Sequence, residues 1–195
     1  MGLSAPAIGL IAAMGAGVFF VAWLYLLLVR GRLTLDLGWG RRLYPLGPIA
    51  VQVKAPRDVV FEQISGAYLG RTPRRTRDEL QVLERSDRMV LAAHHTRLRG
   101  LTVTTVETVR FEPPDRIDFR HVRGPVPHVT EHFELREVGD GTEIGYGGEL
   151  GIDLWGLGAL WSRRVVRIWN RVVQASLEQV KAGAEARAAA HERRA

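Results

Sequence analysis

The 195-residue chain contains no cysteine, which rules out disulfides and any cysteine-ligated metal site. An exported domain commonly uses disulfides, so this absence leans towards the cytoplasm. Lysine is nearly missing too: Lys54 and Lys181 are the only two, and arginine carries the remaining positive charge, a compositional bias more than a functional signal. No GxGxxG, P-loop, GxSxG or HExxH pattern occurs, which removes the usual sequence case for dinucleotide binding, phosphate cradling, a nucleophile elbow or a helical zinc site. No internal repeat is present. The most informative absence is of charge: no Asp, Glu, Lys or Arg precedes Arg30.

Within that uncharged segment, Ala7–Val29 (AIGLIAAMGAGVFFVAWLYLLLV) is apolar almost throughout and longer than the about 20 residues a bilayer crossing needs. No polar stripe at helical period interrupts it, so it is not one face of an amphipathic helix. Trp23 and Tyr25 lie towards one end, where headgroups favour them. A cleaved signal peptide would need a basic start, a shorter apolar core and a small-x-small site, and none is present. Residues 1–30 are therefore expected to form a single transmembrane anchor, with Gly15 and Gly17 as a face that a membrane-protein partner could pack on. Arg30, Arg32, Arg41 and Arg42 follow the segment closely, so the positive-inside rule places the rest of the chain in the cytoplasm.

The formal charge of +6 suits a domain beside anionic headgroups. The arginines are interspersed with acids, and no basic helix interleaved with aromatics occurs, so nucleic acid is not an expected partner. Residues 31–48, rich in Gly and Pro, read as a linker, residues 49–183 as one α+β domain and residues 184–195 as a charged tail. Ile49–Lys54 alternates as a half-buried strand, and Pro56 opens a short helix that buries Val60, Phe61 and Ile64 before Gly66. Arg71, Arg74, Arg75 and Arg77 form the densest basic run, read as a solvated loop or as a phospholipid headgroup contact. Strands are expected near 80–85, 88–95, 101–111, 116–122, 127–136 and 142–150, punctuated by Ser86-Asp87, Pro113-Pro114-Asp115, Gly124-Pro125 and Gly139-Asp140-Gly141. No parallel crossover is needed, so the sheet should be an antiparallel meander. A long helix runs from about Leu157 to His191 with an apolar stripe that includes Trp161, Val165, Ile168, Trp169, Val172 and Leu177. The segment Gly151–Trp161 reads either as a lid touching the membrane or as a helix start packing Trp155 and Trp161 into the core.

Three segments, VQVKAPRDVVFEQIS, FELREVGDGTEIGYGGEL and the long final helix, resemble the START-like or SRPBCC superfamily, which includes polyketide cyclase/dehydrase-like proteins. The resemblance covers roughly residues 49–182, and the VGDGTEI turn is its most recognisable piece. The chain departs from the family at AYLGRTPRRTRDE, where members often carry an aromatic-rich segment. The resemblance implies a helix-grip fold, a curved antiparallel sheet wrapped around the C-terminal helix with an apolar cavity between them. It implies a ligand such as a lipid, sterol, polyketide, quinone or plant hormone, some members being enzymes, and no universal catalytic motif; no cofactor is expected. The expected function is membrane-tethered binding or transfer of a hydrophobic small molecule (lipid, isoprenoid, quinone or polyketide-like). A cyclase/dehydratase-type enzyme and an accessory subunit of a membrane complex are the alternatives.

Strand phase names the candidate site. On one strand His128, Thr130, His132, Glu134 and Arg136 form a wholly polar set, which turns Val129, Phe133 and Leu135 inward. Phe119, Val129, Phe133 and Tyr146 should then face Trp161, Val165 and Trp169 or Ile168 across an apolar space. Glu107, in phase with Val109 and Phe111, and His121, in phase with Ile117 and Phe119, meet directly if the Pro113-Pro114 turn pairs Phe111 with Ile117. Pairing about Gly124-Pro125 sets Glu131 opposite Phe119 and diagonal to His121, and Tyr146 lies one strand further, opposite Phe133. This cluster reads as a handle for a ligand's polar head or as acid–base groups, or else a β-bulge turns one or more members outward or they pair with arginines at the sheet edge. His94, His95, His128 and His132 have no metal-site spacing and read as surface or loop residues. Gly147-Gly148 reads as a bend or a close approach. A reporter that works only after export, fused to the C-terminus, should be inactive, and an active fusion would reverse the topology.

Overall fold

The computed structural model describes residues 4–70, 79–98 and 100–193. Helix α1 spans Ala5–Val29 and stands clear of the rest, with only Val29 buried. It is long and apolar enough to cross a membrane, by length and composition. There follow β1 (Arg42–Val53), α2 (Arg57–Ser65), β2 (Leu80–Arg85), β3 (Met89–Leu98), β4 (Leu101–Glu112), β5 (Arg116–Arg123), β6 (His128–Val138), β7 (Gly141–Ile152) and α3 (Trp155–Glu192). The seven strands form one antiparallel sheet in the order β1-β7-β6-β5-β4-β3-β2. The meander expected from the turn residues is thus present, and β1 closes its far edge on β7.

Alternation builds the sheet's inner face. Val109, Ile117, Val129, Ile144 and Leu150 are buried on it, each contributing about 1.5–3 kcal/mol through removal from water. Helix α3 lies over β1 and β7 and against α2, and on the inner face of β3 to β6 Val90, Ala92, Val109, Ile117 and Phe119 are buried while His94 and Phe133 are half-buried. The fold is α+β, a curved antiparallel sheet gripping a C-terminal helix.

Two boundaries differ from the sequence reading. Strand β1 begins at Arg42, inside the segment read as linker, because an edge strand tolerates Pro45 and a register shift between Leu46 and Ile49 absorbs Gly47 and Pro48. Those residues hid the period-2 pattern. Nor does the tail separate at residue 184: α3 continues to Glu192, and Ala184 and Ala188 are buried, with Gln63 of α2 packed on Gly183 and Arg187 bonded to Glu62 and Gln63. Small side chains carry little hydrophobic signal, yet they let two helices approach closely. The Arg71–Arg77 run lies outside the described residues.

The rest of the supposed linker, residues 31–41, is a strap bound to the domain. Thr34 Oγ1 accepts from Gly124 N–H at 2.7 Å and lies 3.1 Å from its carbonyl. The Asp153 carboxylate accepts from Leu37 and Gly38 N–H at 2.9 and 3.0 Å and from Arg41 Nε at 2.8 Å, while Arg41 also pairs with Asp36. Leu154 and Trp155, at φ 70° and 44°, adopt the left-handed backbone that non-glycine residues avoid by roughly 1 kcal/mol or more. Their N–H groups donate to the Trp39 and Gly40 carbonyls of the strap.

Replacing Ala184 by Leu should lower stability by about 1–3 kcal/mol through overpacking between α2 and α3. Ala186→Leu, on the exposed side of the same turn, should change the denaturation midpoint little.

Candidate functional site

Strands β4 and β5 pair Phe111 with Ile117, Val109 with Phe119 and Glu107 with His121, the register expected from the Pro113-Pro114 turn. The bulge in this ladder falls between Val106 and Glu107 and leaves Glu107 facing inward, only 6% exposed. Strands β5 and β6 place Glu131 opposite Phe119, and β6 and β7 place Phe133 opposite Tyr146. The rings form a row across the concave face: Tyr68 to Phe119 at 6.2 Å between centroids, Phe119 to Phe133 at 5.3 Å and Phe133 to Tyr146 at 5.6 Å.

Polar groups are set into this row. Glu107 Oε1 lies 2.9 Å from His94 Nε2, a diagonal contact because His94 pairs with Thr105 and Glu107 with Ala92. Tyr68 Oη stands 3.4 Å from the same nitrogen. Glu131 Oε2 accepts from Tyr146 Oη at 2.6 Å and from Trp169 Nε1 at 2.7 Å, which ties α3 to the sheet. Gly148 faces Glu131 across the ladder, where a Cβ would fall 2.7 Å from Glu131 Cα, so the close approach requires glycine. Both ring nitrogens of His121 are shut off from solvent and lack a hydrogen-bond partner, the Val126 backbone nearby falling short of bonding geometry.

These surroundings sort the charges. Burial works against ionising Glu107, but the adjoining His94 overrides it, so Glu107 titrates below the usual carboxylate range. Burial likewise opposes charge on His94, yet the Glu107 carboxylate raises it overall. The pair is an ion pair on an apolar face. Burial and then the Glu107 charge push Glu131 from 4.5 up to about 7, against the hydrogen bonds from Tyr146 and Trp169. Burial lowers His121 despite Glu107, so its ring is neutral, one nitrogen a donor and the other an acceptor. Burial lifts Tyr68 and Tyr146 well above the ordinary phenol, and both stay protonated donors.

Most of the expected residues converge here: Glu107, Phe119, His121, Glu131, Phe133, Tyr146 and Trp169. Val129 is fully packed in the core beneath them, and Val165 is half-buried against that core. Trp161 does not join them. It is 50% exposed, and of the adjacent pair Trp169 takes the inward position while Ile168 points out, because α3 presents Ser162, Trp169, Val173 and Leu177 to the sheet. Trp155 is exposed as well, so the core-packing reading fails for both helix-start tryptophans.

His94 and Tyr68 are additions. His94 shares the phase of buried Val90 and Ala92, a signal legible in the sequence but masked by His95 beside it, whose Nδ1 meets Thr104 Oγ1 at 3.0 Å. Tyr68 comes from the connection after α2, for which no period exists. His128 and His132 lie on the outer face near Glu149 and Glu134. That outer face also bears an open hollow of about 480 Å³ whose Arg116, Asp118 and Glu149 make it polar. Among the described residues no three His, Cys, Asp or Glu side chains are arranged as metal ligands.

Because Glu131 titrates at about 7 in the fold against 4.5 ordinarily, its contribution to stability is complete below pH 4.5 and is lost as pH rises through 7. Glu131→Gln abolishes this loss. The melting temperature of the variant minus that of the wild type should climb between pH 5 and pH 8, roughly the window of that titration, and a flat difference would contradict the neutral carboxyl.

No family model matches the chain, and no curated protein matches it in sequence. Solved structures match it in fold. TTHA0849 from Thermus thermophilus superposes with a TM-score of 0.60 at 15% identity over 73% of this chain and 98% of that one. The Zhui aromatase/cyclase from Streptomyces sp. R1128 gives 0.56 at 16% identity over 75% and 95%. The di-domain ARO/CYC StfQ of the steffimycin biosynthetic pathway gives 0.60 at 19% identity over 76% of this chain and 52% of that one. What the chain shares with them is the START-like helix-grip fold.

Proposed function

We propose that the concave face binds a hydrophobic small molecule by its polar head, and that α1 holds this site at the cytoplasmic surface of a membrane. The observation that supports the reading is His121, whose two ring nitrogens are buried without partners beside an ionised carboxylate. A desolvated donor and acceptor with nothing to bond is costly, of order 1–3 kcal/mol, and a bound head group removes the cost. Around it the aromatic row offers apolar surface, and the Glu131 oxygen not used by Tyr146 and Trp169 can donate when protonated. Phe133, Glu131 and Trp169 are half-buried rather than sealed beside α3, which supports access from this side. Tethering suits such a site, since a ligand dissolved in the bilayer is then at high effective concentration.

A cyclase/dehydratase-type reaction is the second reading, and Glu131 favours it: a carboxyl near 7 is poised for proton transfer at neutral pH. The fold neighbours that are aromatase/cyclases lend it support.

Mass spectrometry of small molecules co-purifying with the detergent-extracted protein tests the binding reading. Wild type should retain a hydrophobic compound, and Glu107→Gln or His121→Ala should lower its recovery about tenfold, the effect of losing roughly 1.4 kcal/mol of head-group bonding. Equal recovery from folded variants would make the cluster purely structural. A compound that loses water on incubation with wild type but not with Glu131→Gln would select the enzyme.

A further inference from the structure

We infer that the exposed surface formed by the strap and the first half of α3 is a docking site for an anionic phospholipid bilayer. Trp39, Trp155 and Leu160 are 67%, 60% and 78% exposed, and Trp161, Ile168 and Val172, exposed as well, share one side of the helix. The strap and the helix start are one surface. Leu154 N–H donates to the Trp39 carbonyl at 2.8 Å, Trp155 N–H to that of Gly40 at 3.2 Å, and Gly40 lies flat against the Trp155 ring. The left-handed backbone at Leu154 and Trp155 holds these side chains outward instead of letting them fold onto the core. Scattered exposed apolar residues need no explanation, but three exposed tryptophans on one strap and the helix start it is bonded to do.

A strip of charge runs beside it. Between Asp153 and Glu178 the chain carries Arg163, Arg164, Arg167 and Arg171 and no acidic residue. At about 100° per residue these arginines occupy the outward side of α3, away from Ser162, Val173 and Leu177, which face the domain. All four are exposed, and among the described residues none is ion-paired. Later in the same helix Glu178 and Glu185 are interspersed with Lys181 and Arg187, the mixture a water-facing helix normally carries. Apolar and aromatic side chains bordered by unpaired arginines are the composition of a helix lying in a headgroup layer.

The anchor selects the occupant, so this inference rests on α1 spanning the bilayer. Helix α1 ends at Val29, Gly31 already packs on Thr104, and Thr34 is bonded to Gly124. Five residues can span at most about 18 Å, so the end of the sheet that carries the strap lies at the membrane surface. A second copy of the chain would bring the same four arginines against each other, and like charge disfavours that. Phosphate groups match them instead. Docked in this way, the side of α3 bearing Trp161, Val165 and Trp169 borders the lipid, and the concave face opens beside it.

The absence of cysteine makes the test direct. Single variants Leu160→Cys, Val18→Cys and Val138→Cys of the full chain carry a nitroxide in nanodiscs of phosphatidylcholine with or without phosphatidylglycerol. Val138 lies at the opposite end of β6, about 33 Å along the strand from its near end. Accessibility to oxygen and to an aqueous nickel chelate reports depth. The expected result is a Val18 label in hydrocarbon, a Val138 label in water, and a Leu160 label shielded from nickel in anionic discs. Replacing the four arginines by glutamine should abolish that shielding, each arginine accounting for about a fivefold change in the docking equilibrium. A Leu160 label as water-exposed as the Val138 label, with the Val18 label in lipid, overturns the docking and leaves the tether intact. A Val18 label in water overturns the tether itself. Shielding at Leu160 that depends on protein concentration and not on lipid charge overturns lipid docking in favour of self-association.

Discussion

The Asp153 carboxylate is the contact through which the two parts of the chain acquire a fixed relation. It accepts hydrogen bonds from Leu37 N–H, Gly38 N–H and two nitrogens of Arg41, and it is itself almost wholly buried at the corner where β7 gives way to α3. The Arg41 hydrogen bonds are the largest influence holding it ionised. It acts together with the Thr34–Gly124 bonds and the Leu154 and Trp155 bonds to Trp39 and Gly40, so that the residues after α1 are held along their length. With these contacts the exit from α1, the path of the strap and the strained start of α3 are a single arrangement. An anion with four donors is difficult to replace, because any neutral substitute leaves several of them unanswered.

The concave face follows a second constraint, the cost of placing ions among rings. One carboxylate there is ionised because an imidazolium adjoins it, and its charge then helps keep the neighbouring carboxyl protonated. The site therefore separates two chemically identical groups into an acceptor and a potential donor, with a neutral imidazole between them. Such separation arises from position alone and needs no metal or cofactor.

The sheet was largely legible from the chain because alternation has a period of two and every turn is marked. The opposition of Glu107 to His121 and of Glu131 to Phe119 followed from the phase of Phe111, Ile117 and Phe133, since a slip by one residue would have exposed all of them. What escaped had no period to show. Tyr68 sits in an aperiodic connection, His94 was concealed by its neighbour, and the Pro45-Leu46-Gly47-Pro48 stretch of β1 looks like a loop because an edge relaxes the rules. Trp161 was misplaced because a helical stripe on a partly covered helix is wider than the face it buries. Ala184 and Ala188 carried the opposite lesson, burial achieved by smallness.

Strand β1 has one further meaning. It is an outer strand of the sheet, and Pro45 and Pro48 leave two of its positions with no N–H to offer a neighbour, while the kink at Gly47 bends the remaining rim away from a straight template. A sheet rim that a second chain cannot extend at these positions keeps encounters between copies from growing into stacked aggregates.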